Sequence, residues 1–314
     1  MKILITGGCG YVGTNLTNSL LDNGHDITVV DILWFGNYLK PHRNLNIIQT
    51  DIRQIENIPM KGMDVIIHLA NIANDPSGDL NPKLTWEVNV LASRLLIEKA
   101  IENGVKQFIY ASSGSVYGVK QEENVTEELS LVPISDYNKT KMISERVLLS
   151  YKEEICVQII RPATVCGYSP RMRLDLSVNI LTMQALTKKK ITVFGGSQTR
   201  PNIHIKDMVR VYEHFLTLGT KTQGLFNAGF ENISILDIAK RVTNHIPAEL
   251  VVTKSNDPRS YRQNSDKLRS TGFNPEFTVE DAIRDVILKY NANELKDEDA
   301  YYNIKTMTRI QNLL

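Results

Sequence analysis

A glycine-rich turn near the N-terminus constrains the fold more than any other feature of this chain. The Ile-rich segment Lys2–Thr6 predicts a strand, and residues 6–13 then read Thr-Gly-Gly-Cys-Gly-Tyr-Val-Gly. Beyond the turn, Val12, Leu16 and Leu20 recur every fourth residue, as on one face of a helix. Glycines between a strand and a helix permit a tight turn and let backbone N–H groups approach a phosphate closely. The pattern therefore predicts a phosphate-binding turn that joins a first strand to a first helix.

The first half of the chain repeats this alternation of short apolar runs and amphipathic segments. The apolar runs are β-branched or Ile-rich and almost continuously hydrophobic, as expected of strands covered on both faces. Strand and helix repetition of this kind predicts an α/β fold, a Rossmann doubly wound parallel sheet. The further predicted strands are Asp26–Val30, Asn46–Thr50, Asp64–Leu69, Gln107–Ala111 and Val157–Arg161, and the predicted helices are Tyr11–Asn23, Pro82–Asn103 and Ser135–Lys152.

The alternation changes after about Gly167, where an irregular segment precedes a predicted helix over residues 174–188. We therefore expect residues 1–168 to form the sheet domain, with residues 205–230 returning to it. Residues 169–290 are predicted to form mainly a smaller C-terminal α/β lobe. Residues 291–314 are predicted to be a polar C-terminal tail without a chemical role.

The glycine turn and the acidic residues after the next strands predict the cofactor. Asp31 ends the second strand, 18 residues after Gly13, where a carboxylate can accept hydrogen bonds from an adenosine ribose and repel a 2′-phosphate. Ile32 and Leu33 supply no basic side chain that could offset this repulsion, so the predicted cofactor is NAD rather than NADP. Asp51 and Ile52 follow the third strand and are placed to meet the adenine. The residues predicted to hold the diphosphate at the turn and helix N-terminus are Gly7, Gly10, Tyr11, Val12 and Gly13.

Ser113, Tyr137 and Lys141 are the predicted catalytic residues. Ser113 follows the fifth strand, at the edge where ligands bind in open α/β sheets. Tyr137 and Lys141 are four residues apart, so they share one face of the next helix. A tyrosine with a pKa near 10 is a weak base at pH 7, but a lysine ammonium and a positive nicotinamide ring both favour the phenolate. In this hypothesis Tyr137 transfers a proton, Lys141 tunes it, and Ser113 holds the substrate oxygen.

Together, the stretches TGGCGYVG, Asp31, SSGSVYG and YNKTK resemble the extended short-chain dehydrogenase/reductase family, in its nucleotide-sugar epimerase/dehydratase branch. The resemblance extends to about residue 290. It implies a Rossmann domain that holds NAD permanently and a C-terminal lobe for a nucleoside diphosphate sugar. It also implies a homodimer formed by two helices per subunit, here Pro82–Asn103 and Ser135–Lys152.

Further site residues follow from the resemblance alone. Leu69 and Ala70 match the segment that lines the cofactor after the fourth strand, and Asn89 matches an asparagine on the following helix. The residues that match substrate-binding positions are Thr164, Asn179, Arg200 and Arg259. Two guanidinium groups can neutralise a diphosphate through charge-assisted hydrogen bonds, which fits the two arginines.

The expected reaction is epimerisation of a nucleotide sugar through transient oxidation of the C4 hydroxyl to a ketone. A 4,6-dehydratase of the family has Asp-Glu after the serine, where this chain has Gly114 and Ser115. Ala73 and Thr164 depart from the UDP-galactose 4-epimerase pattern, which has Lys and Asn there, so the sugar stays open. The alternatives are a 4,6-dehydratase or C4 dehydrogenase/ketoreductase of the same family and, more remotely, a non-catalytic dinucleotide-binding regulator.

The charge balance and the cysteines exclude several other classes. The 36 Lys plus Arg residues nearly equal the 35 Asp plus Glu residues, which leaves no overall field to attract nucleic acid or an acidic membrane. Three scattered cysteines predict neither a disulfide framework nor a zinc site, and no metal is expected. The N-terminal apolar run is too short for a signal peptide, and no run approaches the roughly 20 residues of a membrane span. We therefore expect a cytoplasmic protein.

Overall fold

The structure is a computed structural model that describes residues 1–254 and 260–311. Among these residues, seven strands pair in parallel to form a central sheet. Their spatial order is β3-β2-β1-β4-β5-β6-β10, where the strands are β1 (Lys2–Thr6), β2 (Asp26–Asp31), β3 (Leu45–Gln49), β4 (Val65–His68), β5 (Gln107–Ala111), β6 (Cys156–Pro162) and β10 (Gly224–Ala228). The order reverses between β1 and β4, which opens a crevice at the carboxyl ends of these strands. The predicted fold class is confirmed, and each predicted strand agrees with the structure to within one residue at either end.

Helices cover both faces of this sheet, as the continuous hydrophobicity of the strands requires. Along β1, Ile3 and Ile5 belong to one core and Leu4 belongs to the other, because successive side chains of a strand point to opposite faces. The first core contains Leu16 and Phe215, and the second contains Leu96 and Leu148, among others. The helices that supply these four residues are α1 (Tyr11–Asp22), α7 (Ile205–Leu218), α4 (Ala92–Glu102) and α5 (Asp136–Leu149).

The predicted helix over residues 82–103 is continuous but not regular. It consists of α3 (Pro82–Trp86), a π-helical turn (Glu87–Leu91) and then α4. Single π turns inside helices often mark places where a side chain has a special task. Here the turn contains the buried Asn89, whose amide accepts a hydrogen bond from the backbone N–H of Ile72 at 2.8 Å and donates one to the Ile72 carbonyl at 3.2 Å.

The C-terminal half contributes a smaller lobe with its own core. One sheet of three strands contains β7 (Thr164–Cys166), β9 (Thr199–His204) and β11 (Glu231–Ser234), and β8 (Lys190–Phe194) pairs in parallel with β12 (Glu249–Thr253). The core is built from residues such as Val178, Ile191, Ile238 and Ile283. The covering helices are α6 (Ser177–Lys188), α8 (Ile235–His245) and α10 (Val279–Asn291), and the short α9 (Asp266–Ser270) lies outside this core. Helix α7 packs on the large sheet, and β10 is the edge strand of that sheet, beside β6.

The stretch that the sequence predicted to be a polar tail ends in a packed helix. Helix α11 (Asn303–Gln311) contacts α2 (Asp75–Leu80), a helix next to the crevice. Met307 is buried in the core shared with α4, and the Gln311 amide donates a hydrogen bond to the Leu80 carbonyl at 2.9 Å. The apolar residues of this helix are too few to stand out in a mainly polar segment.

The three cysteines, Cys9, Cys156 and Cys166, form no disulfide, in agreement with the expectation from the sequence. Burial raises the pKa of each thiol, and Asp31 raises that of Cys9 further. Among the described residues, no helix is both long enough and apolar enough to cross a membrane.

A buried ion pair fastens α5 to the sheet. The Arg161 guanidinium of β6 donates to the Glu145 carboxylate of α5 at 2.9 and 2.7 Å, and both side chains are only 2% exposed. The Ser112 hydroxyl donates to the same carboxylate, and the Tyr117 hydroxyl accepts a hydrogen bond from Arg161 at 2.7 Å. Bidentate geometry and the extra hydrogen bonds meet the conditions under which a buried pair is tolerated.

We predict that Glu145→Gln lowers the free energy of unfolding by about 3–5 kcal/mol, because it leaves the Arg161 cation buried without a counter-charge. Chemical denaturation compared with the wild type measures the loss. The control is Glu249→Gln, which removes the exposed Lys190–Glu249 pair and should change stability little. Equal effects of the two substitutions would contradict the prediction.

Candidate active site

A cavity of about 740 Å³ opens at the carboxyl ends of the strands and extends into the C-terminal lobe. Its position agrees with the general location of ligand sites in open α/β sheets. Most of the site residues predicted from the sequence line it: Gly7, Gly10, Tyr11, Val12, Gly13, Asp31, Asp51, Ile52, Leu69, Ala70, Ser113, Tyr137, Thr164 and Arg200. Asn89, Lys141 and Asn179 lie behind this lining, and Arg259 lies outside the described residues.

The glycine turn is shaped for close approach of a ligand to the backbone. Gly7 has φ +73°, and a Cβ atom there would lie 2.6 Å from the Ala70 nitrogen. A Cβ atom on Gly13 would lie 2.2 Å from the Gly7 carbonyl oxygen, so neither position tolerates a side chain. Helix α1 begins after Gly10 without a capping side chain, which leaves backbone N–H groups and the positive end of the helix dipole at the cavity. These features fit the diphosphate of a dinucleotide.

Asp31 lies at the end of β2 and lines the cavity, as its sequence position predicts. Its carboxylate accepts hydrogen bonds from the backbone N–H groups of Leu33 at 2.8 Å and Cys9 at 3.0 Å, which hold it in place. Burial raises the pKa of Asp31, while these two hydrogen bonds and the charge of Arg171 lower it. The remaining lone pairs can accept hydrogen bonds from ribose hydroxyl groups.

Asp51 also lines the cavity, but its carboxylate is already engaged. Arg53 forms an ion pair with it at 2.8 Å and bonds at the same time to Glu87 at 2.7 Å. Its carboxylate is therefore less available to a ligand than the sequence suggested, whereas the apolar Ile52 can pack against a base.

Tyr137 and Ser113 meet at the centre of the cavity. Burial raises the pKa of Tyr137 to about 12, and a hydrogen bond with Ser113 acts in the opposite direction. Among the charged groups nearby, Asp75 raises the pKa of Tyr137 and Arg173 lowers it. The Ser113 hydroxyl also shares a hydrogen bond of 2.7 Å with Ser115. The protein groups alone therefore hold Tyr137 in its protonated form at neutral pH.

Lys141 lies on the same face of α5 as Tyr137, as the four-residue spacing predicts, and it is only 2% exposed. Its Nζ donates to the Ala111 carbonyl at 2.6 Å and lies 5.9 Å from the centroid of the Tyr137 ring. Burial lowers the pKa of Lys141 to about 7, and the nearby Glu145 raises it. Because its charge is only partly present at neutral pH, Lys141 is a weaker source of positive charge than the sequence suggested.

Asn89 and Asn179 are fully buried and bond to the protein. Asn89 joins the Ile72 backbone and, at 3.1 Å, the Thr140 hydroxyl of α5. Asn179 accepts a hydrogen bond from the Gly167 N–H at 3.0 Å and donates to the Tyr11 hydroxyl at 3.1 Å. The ligand contacts that the resemblance implies for these two side chains stay predictions. Both side chains position the cavity wall, because their polar atoms already have protein partners.

Several cavity residues were not identified from the sequence. They come from the loop after β2, the start of α2, the loop before α6, the segment between β12 and α9, and the C-terminal helix, and they include Trp34, Phe35, Asp75, Arg171, Arg173, Asp175, Tyr261 and Asn303. Arg173 and Asp175 form a bidentate pair at 3.0 and 3.1 Å, and the Asn74 amide donates to Asp175 at 3.0 Å. The repeated arginines of the sequence Pro-Arg-Met-Arg at residues 170–173 were the available signal.

The two positions after Ser113 are Gly114 and Ser115, which carry no carboxylate. A Cβ atom on Gly114 would lie 3.2 Å from the Gln263 side chain and from the Pro162 carbonyl oxygen, which is tighter than ordinary contact. The Ser115 hydroxyl donates to the Asn138 side chain and is held by it.

Comparisons with known proteins agree with this geometry. Residues 3–229 match the family described as the NAD dependent epimerase/dehydratase family. A UDP-glucose 4-epimerase of Corynebacterium glutamicum is 27% identical over 313 aligned residues, which cover 90% of this chain and 94% of that protein. An uncharacterized UDP-glucose epimerase of Bacillus subtilis is 33% identical over 67% of this chain and 71% of its own length.

The solved structures extend the likeness to most of the chain. The UDP-glucose 4-epimerase of Thermotoga maritima with UDP-glucose superposes with a TM-score of 0.84 at 25% identity, over 93% of this chain and 99% of that one. A dTDP-glucose 4,6-dehydratase of Streptomyces venezuelae with NAD bound has a TM-score of 0.83 at 21% identity, over 93% of this chain and 97% of that one, which shows the shared fold alone. The fold therefore does not distinguish epimerases from dehydratases. Only the residues of the site can distinguish them.

We predict that Lys141→Met stabilises the nucleotide-free protein at pH 6 and that the gain disappears towards pH 10. The folded pKa of Lys141, about 7, lies below its ordinary value of 10.5, so the unfolded chain binds more protons between these two values. Stability therefore rises with pH across this window, and the penalty for burying the ammonium is fully present below it. The expected gain at pH 6 is on the order of a few kcal/mol. Denaturation curves at several pH values test it, and a difference independent of pH would contradict it.

Proposed function

The chain belongs to the NAD dependent epimerase/dehydratase family, and we propose that it is a nucleotide-sugar epimerase that oxidises the sugar C4 hydroxyl transiently to a ketone. The observation that carries the proposal is the meeting of Ser113 and Tyr137 with the glycine turn in one cavity, beside positions 114 and 115 that hold no acid–base pair. NAD is the cofactor of this family, and Asp31, the uncapped α1 and the crowded glycines fit it.

In the proposed mechanism Tyr137 is the proton acceptor for the C4 hydroxyl. Ser113 holds the same oxygen by a hydrogen bond and lowers the pKa of Tyr137. Bound NAD supplies the hydride acceptor and its positive nicotinamide ring. That positive charge favours the phenolate, which burial alone disfavours in this site. Once the ketone has turned its other face to the cofactor, the stored hydride would return to that face of the carbon and Tyr137 would return its proton to the carbonyl oxygen. The carbon is then inverted, and no further acid or base is required.

We infer that the substrate is a nucleoside diphosphate sugar held by the C-terminal lobe. Arg200 and Thr164 line this part of the cavity, and Arg200 supplies positive charge suited to a diphosphate. Phe194 also lines this part of the cavity and is 60% exposed, which is unusual for a large apolar residue. An exposed aromatic ring at a cavity is a suitable surface on which a nucleotide base can stack. We also propose Arg259 as a second substrate-binding arginine, on the resemblance alone.

The test is incubation of the purified protein with UDP, GDP, CDP and dTDP sugars. Inversion at the sugar C4 with unchanged nicotinamide absorbance is the expected result. A 4-keto product that accumulates with loss of water would instead identify a 4,6-dehydratase, and net production of reduced cofactor would identify a dehydrogenase. Absence of any turnover with intact cofactor binding would point to a regulator.

We predict that Tyr137→Phe lowers turnover by about 10²–10⁴-fold or more and leaves the amount of bound NAD unchanged. The substitution removes only the hydroxyl that exchanges the proton. Tyr151→Phe is the control, because that tyrosine lies past the far end of α5 and its hydroxyl donates to Glu98 at 2.6 Å. Turnover of Tyr137→Phe near the wild-type rate on the true substrate would exclude the mechanism.

We propose that the protein is a homodimer through the helical segment of residues 82–102 together with α5. Three large apolar residues of this segment face solvent: Trp86 is 36% exposed, Leu91 is 56% exposed and Leu95 is 42% exposed. A group of exposed apolar side chains on one segment indicates an interaction surface. We also propose a cytoplasmic location, for which the three unpaired thiols are the support.

We predict that Leu95→Glu converts the dimer to a monomer at micromolar concentration, because it places a charge in the apolar contact. Light scattering after size-exclusion chromatography measures the mass. The matched control is Leu288→Glu on α10, where the leucine is 64% exposed on another face. The proposed interface is wrong if both variants keep the dimer mass or if the wild type is a monomer.

A further inference from the structure

The C-terminal helix α11 forms part of the wall of the cofactor cavity. Asn303, Ile304 and Met307 line the cavity from this side. The backbone N–H of Leu174 also bonds to the Tyr301 carbonyl at 2.8 Å, so the segment just before α11 is tied to the loop that precedes α6. That loop carries Arg171. The two segments therefore meet at the cavity although they are about 130 residues apart in sequence.

Arg171 is a buried cation with few protein partners. It is 2% exposed, its Nη2 donates to the Asn303 Oδ1 at 2.6 Å, and its Nη1 donates to the Met172 carbonyl at 3.3 Å. Its Nε, also buried, has no hydrogen-bond partner. Among residues 1–254 and 260–311, no carboxylate lies within ion-pair distance, 4.0 Å, of this guanidinium. Burial lowers the pKa of Arg171 to about 10, so the group stays charged at neutral pH.

A buried guanidinium with an unpaired N–H group is costly unless an anion meets it. The cavity that Arg171 lines is the place where such an anion can enter. Two diphosphates are expected in this cavity, one of NAD and one of the sugar nucleotide. The surroundings of Arg171 distinguish them, because its guanidinium carbon lies 4.1 Å from the centroid of the Phe35 ring and is influenced by the charge of Asp31. Both residues belong to the end of β2 and the loop after it, which is the adenosine side of the cavity.

We propose that Arg171, positioned by Asn303 of the C-terminal helix, binds the diphosphate of NAD and retains the cofactor between half-reactions. Asn303 fixes one edge of the guanidinium through a neutral acceptor, which leaves the positive charge of Arg171 for the ligand. Retention matters for an epimerase, because the reduced cofactor must stay in place until the ketone has turned. The proposal rests on the cofactor of the family and does not require the epimerase reaction.

The test compares four variants of the full chain, Arg171→Gln, Asn303→Ala, Asn303→Asp and Gln311→Ala. Bound NAD per chain is measured after purification, and NAD release is measured by exchange with labelled NAD. Arg171→Gln should weaken NAD binding on the order of ten- to hundred-fold, as expected for loss of hydrogen bonds to a charged group. Asn303→Ala should speed release at least several-fold. Asn303→Asp keeps an acceptor for Arg171 but pairs with its positive charge, so it should also speed NAD release.

Gln311→Ala is the matched control, because it removes another side-chain hydrogen bond that holds α11 to the protein, at a position away from the cavity lining. It should leave NAD release unchanged. Equal acceleration by Gln311→Ala and Asn303→Ala would show that docking of the helix, and not the Arg171–Asn303 contact, retains the cofactor, and would overturn the proposal. If Arg171→Gln does not fold, the release rates of the two Asn303 variants decide alone. Faster release from both supports the proposal, and NAD retention by Asn303→Asp as strong as in the wild type would overturn it.

UDP affinity, measured by calorimetry on the NAD-loaded variants, separates the two diphosphates. Arg171→Gln should leave it unchanged. A loss of UDP affinity with normal NAD retention would assign Arg171 to the substrate and refute the proposal. The outcome is independent of the proposed reaction, because a protein that inverts no sugar can still show NAD release that depends on Arg171.

Discussion

The buried pair between Arg161 and Glu145 is the interaction on which the active-site geometry depends. It joins α5, the helix that carries Tyr137 and Lys141, to β6 of the sheet. Ser112 bonds to the same carboxylate, so the segment that carries Ser113 is tied to the same point. A buried ion pair contributes little net stability compared with apolar packing. Its contribution here is to hold α5 and the loop after β5 in one arrangement, because any slip would leave a charge buried and unpaired.

The electrostatics of the cavity suit a protein that works with its ligands bound. Burial raises the pKa of Tyr137 to about 12 and lowers that of Lys141 to about 7, so the protein disfavours both charged forms. Arg171 and Arg173 keep positive charge beside the same cavity, with Arg173 paired to Asp175. The positive nicotinamide ring of a bound cofactor would favour the phenolate of Tyr137. The proton chemistry of Tyr137 is therefore coupled to the presence of the cofactor, which fits an enzyme that retains it.

Local sequence patterns predicted much of the site because their chemistry is local. Gly13 is required by contacts within the turn in which it lies, and Gly7 has a positive φ that favours glycine, although the atoms that crowd it belong to the loop after β4. Tyr137 and Lys141 share a helix face through their spacing alone. Asn89 and Asn179 show the limit of this approach. Each occupies a position expected to contact a ligand, but each has its amide bonded to distant protein atoms, and only packing determines whether a polar side chain faces a ligand or the protein.

The sequence by itself determined the alternating strands and helices, the glycine turn after β1, the position of Asp31 at the end of β2 and the shared helix face of Tyr137 and Lys141, since each depends on residues near one another in the chain. Only the tertiary structure decided which charges meet across the cavity. It placed Arg171 near Asp31, where Ile32 and Leu33 had suggested that no basic group was present, and it brought Asn303 of the C-terminal helix against that arginine. The physical reason is that burial and electrostatic interactions depend on distances in space, and residues far apart in sequence come close to one another only when the chain folds.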